Sequence, residues 1–503
     1  MKKLVVALLA AAIFHPRQTL AQVADTEKYD EPYRLQLHFS PKAHWINDPN
    51  GMVYFNHTYH LFYQYFPGGI NWGPMHWGHA VSRDMVHWKE LSVALYPDSL
   101  GYIFSGSAVV DARNTAGFGK GGKVPLVAIF THHDPKGEKA GRNDFQNQSL
   151  AYSLDEGKSW TKYAHNPVLK NPGIRDFRDP KVMWFAAAHK WVMTLATLDR
   201  VTFYSSPDLK NWKKESEFGK DAGAHGGVWE CPDLFALTLN GKTYWVLIVN
   251  VNPGGPNGGS ATQYFVGGFD GTKFHPLDNK IRWVDYGPDE YAGVTWSNTG
   301  NRKIFLGWMS NWTYAGQLPT TKWRNAITIP RELSLENVNG EILLRSGLVK
   351  ELTGIEQKPE HLTAGVLHGK IKKGVPAQYL LKLRTKTAHS YAVTLSNDAN
   401  EKLVFGYDRS ANRYYINRSM SGKTAFNPEF KKIAYAPRLS KALTGDVELV
   451  IDNSSVEVFA DHGLTVMTAL FFPTKPYSRL QINGETGQFP EAMIVPLRSI
   501  WHQ

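Results

Sequence analysis

Residues 82–88 (SRDMVHW), 153–160 (SLDEGKSW) and 206–212 (SPDLKNW) share one plan: a Ser and an Asp open a turn, and a Trp follows it. Residues 269–274 (FDGTKF) look like a degenerate fourth copy. Each follows a short strand-like run: WGHAVS, QSLAYS, RVTFYS and QYFVGGF. The ring residues are spaced by 72, 52 and 62 positions. Units of four antiparallel strands recur at about this length, so the repeat predicts propeller blades. Gly is frequent and long amphipathic helical patterns are scarce, which also points to a mostly β chain.

A second repeat is offset from the first. NDPNGMVYFNHTYHLFYQY from Asn47, RDPKVMWFAAAHKWVMTLA from Arg178 and ECPDLFALTLNGKTYWVLIV from Glu230 each run acid, Pro, apolar strand, turn, apolar strand. Asp48, Asp179 and Glu230 are therefore expected at comparable places at the starts of three blades. Glu230 lies 51 residues after Asp179, about one blade, and Asp179 lies 131 after Asp48, about two. The skipped blade is expected near 104–113 (FSGSAVVDAR) and a last one near 289–298 (DEYAGVTWSN), which makes five. The innermost strands of a propeller line its central channel, so these acids, far apart in sequence, should meet at the channel mouth.

The texture changes after residue 357. Of 16 Trp only Trp501 lies beyond it, and alternating stretches such as DVELVIDNSSVEVFADHG follow. The predicted organisation is all-β: a five-bladed propeller over 33–340, a linker over 341–357 and a β-sandwich over 358–503. Ahead of them, Lys2 and Lys3 precede an apolar run over 4–14, and Thr19-Leu20-Ala21 resembles a cleavage site. Residues 1–21 read as a signal peptide, because eleven apolar residues are too short to span a bilayer. A secreted or periplasmic protein with no membrane insertion is expected. The single cysteine, Cys231, allows no internal disulfide and no multi-cysteine zinc site. The formal charge of +11 falls to +8 without Lys2, Lys3 and Arg17, and its scatter argues against nucleic acid as a partner.

Three acids at one mouth need to be told apart by environment. Hydrolysis of a glycosidic bond commonly uses a nucleophile and a general acid. Asp48, followed by a turn rich in N–H donors and flanked by Asn47, is expected to be held ionised. Glu230 lies between Trp229 and Cys231, and apolar neighbours with nearby like charge raise a carboxyl pKa. Asp179 adjoins Arg178 and is expected to stay charged, holding sugar hydroxyls and stabilising developing positive charge. Calcium binding by the acids is permitted by their spacing but not demanded, and no metal or cofactor is expected. Cys231 has acidic neighbours, which opposes a thiolate and favours a small buried role. Trp45, Trp72, Phe104, Trp308 and Trp312 are candidate sugar platforms, with Gln64 and Ser105 as polar contacts. Trp77, Trp88, Trp160 and Trp212 read as blade core.

WINDPNG, FRDPKV and WECPDLF together resemble the signature motifs of glycoside hydrolase family 32, the β-fructosidases. FSGS, DEYAGVTW, the segment 307–333 and SSVEVFADHG are similar to that family too, and the likeness spans about 33–500. The resemblance implies the same propeller and sandwich, and retention of configuration through a fructosyl-enzyme intermediate. It implies Asp48 as nucleophile, Asp179 as transition-state stabiliser and Glu230 as acid/base. It places Asn47, Gln64, Trp72, Ser105, Arg178 and a Trp of GWMSNW, Trp308 in preference to Trp312, around the terminal fructose. Asp289 and Glu290 stand where members carry an acid before Tyr291; Asp289 is counted among the expected substrate contacts, with Glu290 as the open alternative. The segment 307–333 looks most like levanases and exo-inulinases, so a fructan or fructo-oligosaccharide, and sucrose beside it, is the expected substrate. Endo-acting levanase, an inactive fructan-binding protein and a fructosyltransferase remain as alternatives.

Overall fold

The computed structural model describes residues 28–501; the expected signal peptide lies outside them. Five inner strands organise the first two thirds: β1 (His44–Phe55), β2 (Tyr102–Val110), β3 (Phe177–Phe185), β4 (Val228–Leu239) and β5 (Tyr291–Thr295). Each begins one antiparallel sheet of four or five strands. Each inner strand touches the next, and β5 touches β1, so the five sheets close into a ring. The ring is tied shut by late residues. Trp323 and Arg324 pair in parallel with His44 and Trp45, and Ser297 exchanges backbone hydrogen bonds with Met52 and Tyr54.

The repeated turn joins the third strand of a sheet to the fourth. The hydroxyls of Ser82, Ser153 and Ser206 donate to Asp84, Asp155 and Asp208. Those carboxylates accept backbone N–H groups further round the turn, from Val86 and His87, from Ser159, and from Lys210 and Asn211. Asp270 does the same with Thr272 and Lys273. Side chains of this type mimic a backbone turn, which explains why the pattern was legible at the spacing of one sheet. Trp77 is fully buried in an apolar cluster, and Trp88, Trp160 and Trp212 pack partly buried against such clusters, as expected of core residues.

The expected linker over 341–357 is corrected. Glu341–Leu348 pairs along its whole length with Arg331–Val338 and is the outermost strand of the fifth sheet. Asn339 and Gly340 turn the chain between them at positive φ, as a tight hairpin requires. Only a short helical turn, Lys350–Ile355, then precedes the C-terminal unit. That unit has two six-stranded sheets. Leu381, Leu383 and Leu449 of one share an apolar cluster with Val393, Leu395 and Phe405 of the other.

Buried charge stitches this unit to the ring. Arg331 pairs with Asp285 at 2.9 Å and donates to Glu457 through Nε at 3.0 Å. Glu457 also meets His38 at 2.9 Å, and the other ring nitrogen of His38 lies 2.8 Å from Asp452. None of these side chains is accessible to solvent. Burial opposes charge on His38, but the hydrogen bonds to Asp452 and Glu457 outweigh it and raise its pKa to about 9. A raised pKa stabilises the fold fully below the unfolded value of about 6.5 and is lost as pH climbs through the folded one. The loss of melting temperature in His38→Gln should therefore be largest near pH 6 and shrink between pH 6.5 and 9, followed by calorimetry. A pH-independent loss would refute the charged imidazole.

Candidate active site

A strand of regular period two cannot aim two successive side chains at one cavity. All five inner strands break that period at the same level. Two of their residues oppose one on the neighbouring strand: Asn47-Asp48, Phe104-Ser105, Asp179-Pro180, Cys231-Pro232 and Ala292-Gly293. These are β-bulges. Asp179, Cys231 and Ala292 hold them at φ of 64°, 42° and 53°. A non-glycine residue there costs on the order of 1–3 kcal/mol, so the surrounding ring enforces the geometry. The bulges let Asn47 with Asp48, Phe104 with Ser105, and Arg178 with Asp179 line one cleft of about 250 Å³ together with Glu230.

Residues at the same level touch across adjacent strands. Just before the bulge, Arg178 donates to Glu230 through Nε at 3.1 Å and Nη2 at 3.0 Å, and the Tyr291 hydroxyl donates to the other oxygen of Glu230. At the first bulged place the backbone N–H of Cys231 donates to Asp179 at 3.0 Å. At the second, Ser105 donates to Asp48 at 2.7 Å. The three acids therefore sit at three successive levels, not at one as the sequence repeat suggested, and they converge because the levels are stacked around one bulge ring. The Cys231 sulfur joins them, 3.6 Å from both Asp48 and Asp179.

The electrostatics differ from expectation. Burial raises the Asp48 pKa, the charge of Glu230 adds to it, and the hydrogen bonds from Ser105 and Asn47 only partly offset the rise. Asp179 is raised too, first by burial, with Arg178 opposing and Glu230 and Asp48 reinforcing. Sequence adjacency misled here: the Arg178 guanidinium is committed to Glu230 and to Asp176 at 2.5 Å, and stands 4.0 Å from Asp179. The apolar setting expected for Glu230 is also absent. Trp229 turns into the core, with its indole N–H on the Ala224 carbonyl, and polar groups surround the carboxylate instead.

Asn47, Gln64, Trp72, Phe104, Ser105 and Arg178 all line the cleft. Trp45 lies behind it and orients Asn47 through a 2.8 Å hydrogen bond, and Asn47 in turn donates to Asp48 at 2.9 Å. Gln64 is buried with its amide nitrogen unpaired among the described residues. Two expectations are corrected. Trp308 is fully buried, its indole N–H on the Ile46 carbonyl, while Trp312 packs over it and reaches the cleft. Asp289 is fully buried and faces the C-terminal unit, hydrogen-bonded to Tyr314, Arg418 and the Leu470 N–H. Glu290 is buried as well.

The sequence reading missed one wall. His133, Glu138, Phe145, Gln146, Arg175 and Asp176 line it. His133 stacks on Phe104 at 4.2 Å and meets Glu138 at 3.1 Å. These residues come from the second sheet, from the connection between two of its strands that carries the short helix Pro135–Lys139, and from the approach to β3, where no acid motif marks them. Tyr291 was visible as the neighbour of two acids, but only the shared level with Glu230 gives the phenol its role. Chemically, the cleft offers five carboxylates, three of them meeting at the bulges, two guanidinium groups, hydrogen-bonding amides and aromatic faces, which suits a hydroxyl-rich ligand and acid–base chemistry.

Comparison with known proteins agrees with this chemistry. The family description "Glycosyl hydrolases family 32 N-terminal domain" matches residues 38–346, and "Glycosyl hydrolases family 32 C terminal" matches 349–497. The levanase of Bacillus subtilis (strain 168) is 45% identical over 520 residues, covering 99% of this chain and 76% of its own. The extracellular exo-inulinase of Aspergillus awamori is 41% identical over 522 residues, covering 94% and 96%. The crystal structure of the exo-inulinase from Aspergillus awamori superposes with a TM-score of 0.86 at 38% identity, over 94% of this chain and 100% of that one. A fructofuranosidase from Schwanniomyces occidentalis, solved with fructosylnystose, gives 0.84 at 30% identity, over 93% and 98%.

Burial and the surrounding carboxylates push the Cys231 thiol far up, so it stays protonated and unreactive. The native protein should give almost no reaction with a disulfide thiol reagent at pH 8, and about one equivalent per chain after denaturation, since the sequence holds one cysteine. Rapid labelling of the native protein would contradict the buried placement.

Proposed function

The chain belongs to glycoside hydrolase family 32, and from that premise we propose how its cleft acts and on what. It is a glycoside hydrolase of the β-fructosidase type, acting on fructans. We infer exo-action on levan and inulin, and on sucrose, with release of terminal fructose. The names of the levanase and exo-inulinase relatives support this reading. The five closed sheets are read as blades of a propeller and the two six-stranded sheets as a β-sandwich. Secretion after cleavage near Ala21 agrees with relatives described as extracellular.

The observation that carries the mechanism is the meeting of Asp48, Asp179 and Glu230 from three different inner strands in one cleft. Asp48 attacks the anomeric carbon of the fructosyl unit while Glu230 protonates the departing oxygen. The resulting fructosyl ester on Asp48 is hydrolysed by a water that Glu230 deprotonates, so configuration is retained. Asp179, held by the Cys231 N–H, accepts sugar hydroxyls and stabilises positive charge at the ring. Arg178 and Tyr291 fix the acid/base. Gln64, Asn47, Trp72, Phe104 and Trp312 bound the sugar.

Asp48→Asn and Glu230→Gln should each keep the fold and lower kcat by roughly a thousandfold or more; unchanged turnover on levan, inulin and sucrose would sink the assignment. Early products separate the modes of action: fructose alone supports exo-attack, a ladder of oligosaccharides shows endo-attack. The Ser105 hydrogen bond offsets part of the rise in the Asp48 pKa, and a nucleophile must be ionised. Ser105→Ala should therefore move the acidic limb of kcat/KM to higher pH, by about one unit if one hydrogen bond to a charged group is lost. An unmoved limb would mean that another group controls it.

A further inference from the structure

Trp312 reaches the cleft from a loop, residues 310–317, which the ring anchors through Asn311, donating to the Pro288 carbonyl at 2.7 Å, and through the Trp312 N–H, donating to Ser260 at 3.3 Å. A further hold comes from the other unit of the protein. Arg418, on the C-terminal strand Arg413–Met420, is buried. Its Nη2 donates to the Tyr314 hydroxyl at 2.7 Å, and its Nη1 pairs with Asp289, which also accepts from Tyr314. The guanidinium is fixed from behind, with Nε on the Phe430 carbonyl at 2.7 Å, Nη1 on the Leu470 carbonyl at 3.0 Å, and Cζ 3.8 Å above the Phe430 ring. A planar fork with all three nitrogens engaged admits one orientation. Tyr314 is thereby pinned two residues beyond Trp312. Asn427, also of the C-terminal unit, donates to the Thr313 carbonyl at 3.2 Å.

We propose that Arg418 is a positioning residue for substrate: through Asp289 and Tyr314 it sets the loop that presents Trp312 to the cleft, so the C-terminal unit shapes the substrate site without touching it. This inference rests on the reading of Trp312 as a platform for the sugar. It gives Asp289 a role through the loop rather than through contact with substrate. Removing Arg418 outright leaves Asp289 buried and unpaired and endangers the fold, so the clean probe is Tyr314→Phe, which keeps the Arg418–Asp289 pair and cuts the link to the loop.

Hydrolysis of levan oligosaccharides is measured for wild type, Tyr314→Phe, Trp312→Ala and the double variant, with melting temperatures alongside. Tyr314→Phe should raise KM about fivefold and change kcat by less than about twofold. In the Trp312→Ala background the same change should add nothing, because the platform it positions is gone. A KM unchanged by Tyr314→Phe while Trp312→Ala raises it overturns the proposal, as do additive effects or a fall in melting temperature alone. A KM unaffected by Trp312→Ala overturns it through its premise. Failure of the fructosidase reading would show separately, as absence of turnover in the wild type.

Discussion

Backbone geometry at one level of five strands carries the whole site. Flat strands would send Asp48 and Asn47, or Arg178 and Asp179, to opposite faces. The two-for-one bulge bends each strand and turns consecutive side chains the same way. Because the bulges recur at equal height around a closed ring, each inner strand offers its neighbour a partner at matching height. Arg178 meets Glu230, Glu230 meets Tyr291, Cys231 meets Asp179, and Ser105 meets Asp48. One level below, Lys181 pairs with Asp233 at 3.2 Å by the same rule. The strained residues Asp179, Cys231 and Ala292 lie on three consecutive inner strands, so backbone energy is stored where the chemistry is done.

Packing three carboxylates into this ring has an electrostatic consequence. Burial raises the proton affinity of Asp48 and Asp179, and neighbouring carboxylates add to it: Glu230 acts on both, and Asp48 acts on Asp179. The site answers with donors placed on every one of the three acids: Ser105 and Asn47 for Asp48, the Cys231 N–H for Asp179, Arg178 and Tyr291 for Glu230. The protonated thiol fills the gap between two of the acids without adding charge.

The C-terminal sheets are joined to the ring through apolar surface and through ions that have no access to water. Buried pairs of this kind add little net stability, but breaking one leaves a charge stranded. They therefore act as keys that fix how the two units meet. Arg331 with Glu457 and Asp285 is one such key, and Arg418 with Asp289 is another. The second extends to the loop behind Trp312, which ties the fixed docking of the two units to the shape of the cleft.

The sequence by itself disclosed the periodic turns, the number of strand units and three of the acids that share the cleft, because Ser-Asp turns and acids set just before a Pro are local devices written in nearby residues. The family likeness was readable for the same reason. Four things were decided only by tertiary structure. The strand at 341–348 joined the fifth sheet because a partner strand was there to receive it. Arg178 chose Glu230 over its sequence neighbour because a bulge turned it. Trp312 rather than Trp308 reached the cleft, since only the fold says which of two nearby rings lies on top. Asp289 faced away because its cation comes from residue 418, and no local pattern records a partner more than a hundred positions distant.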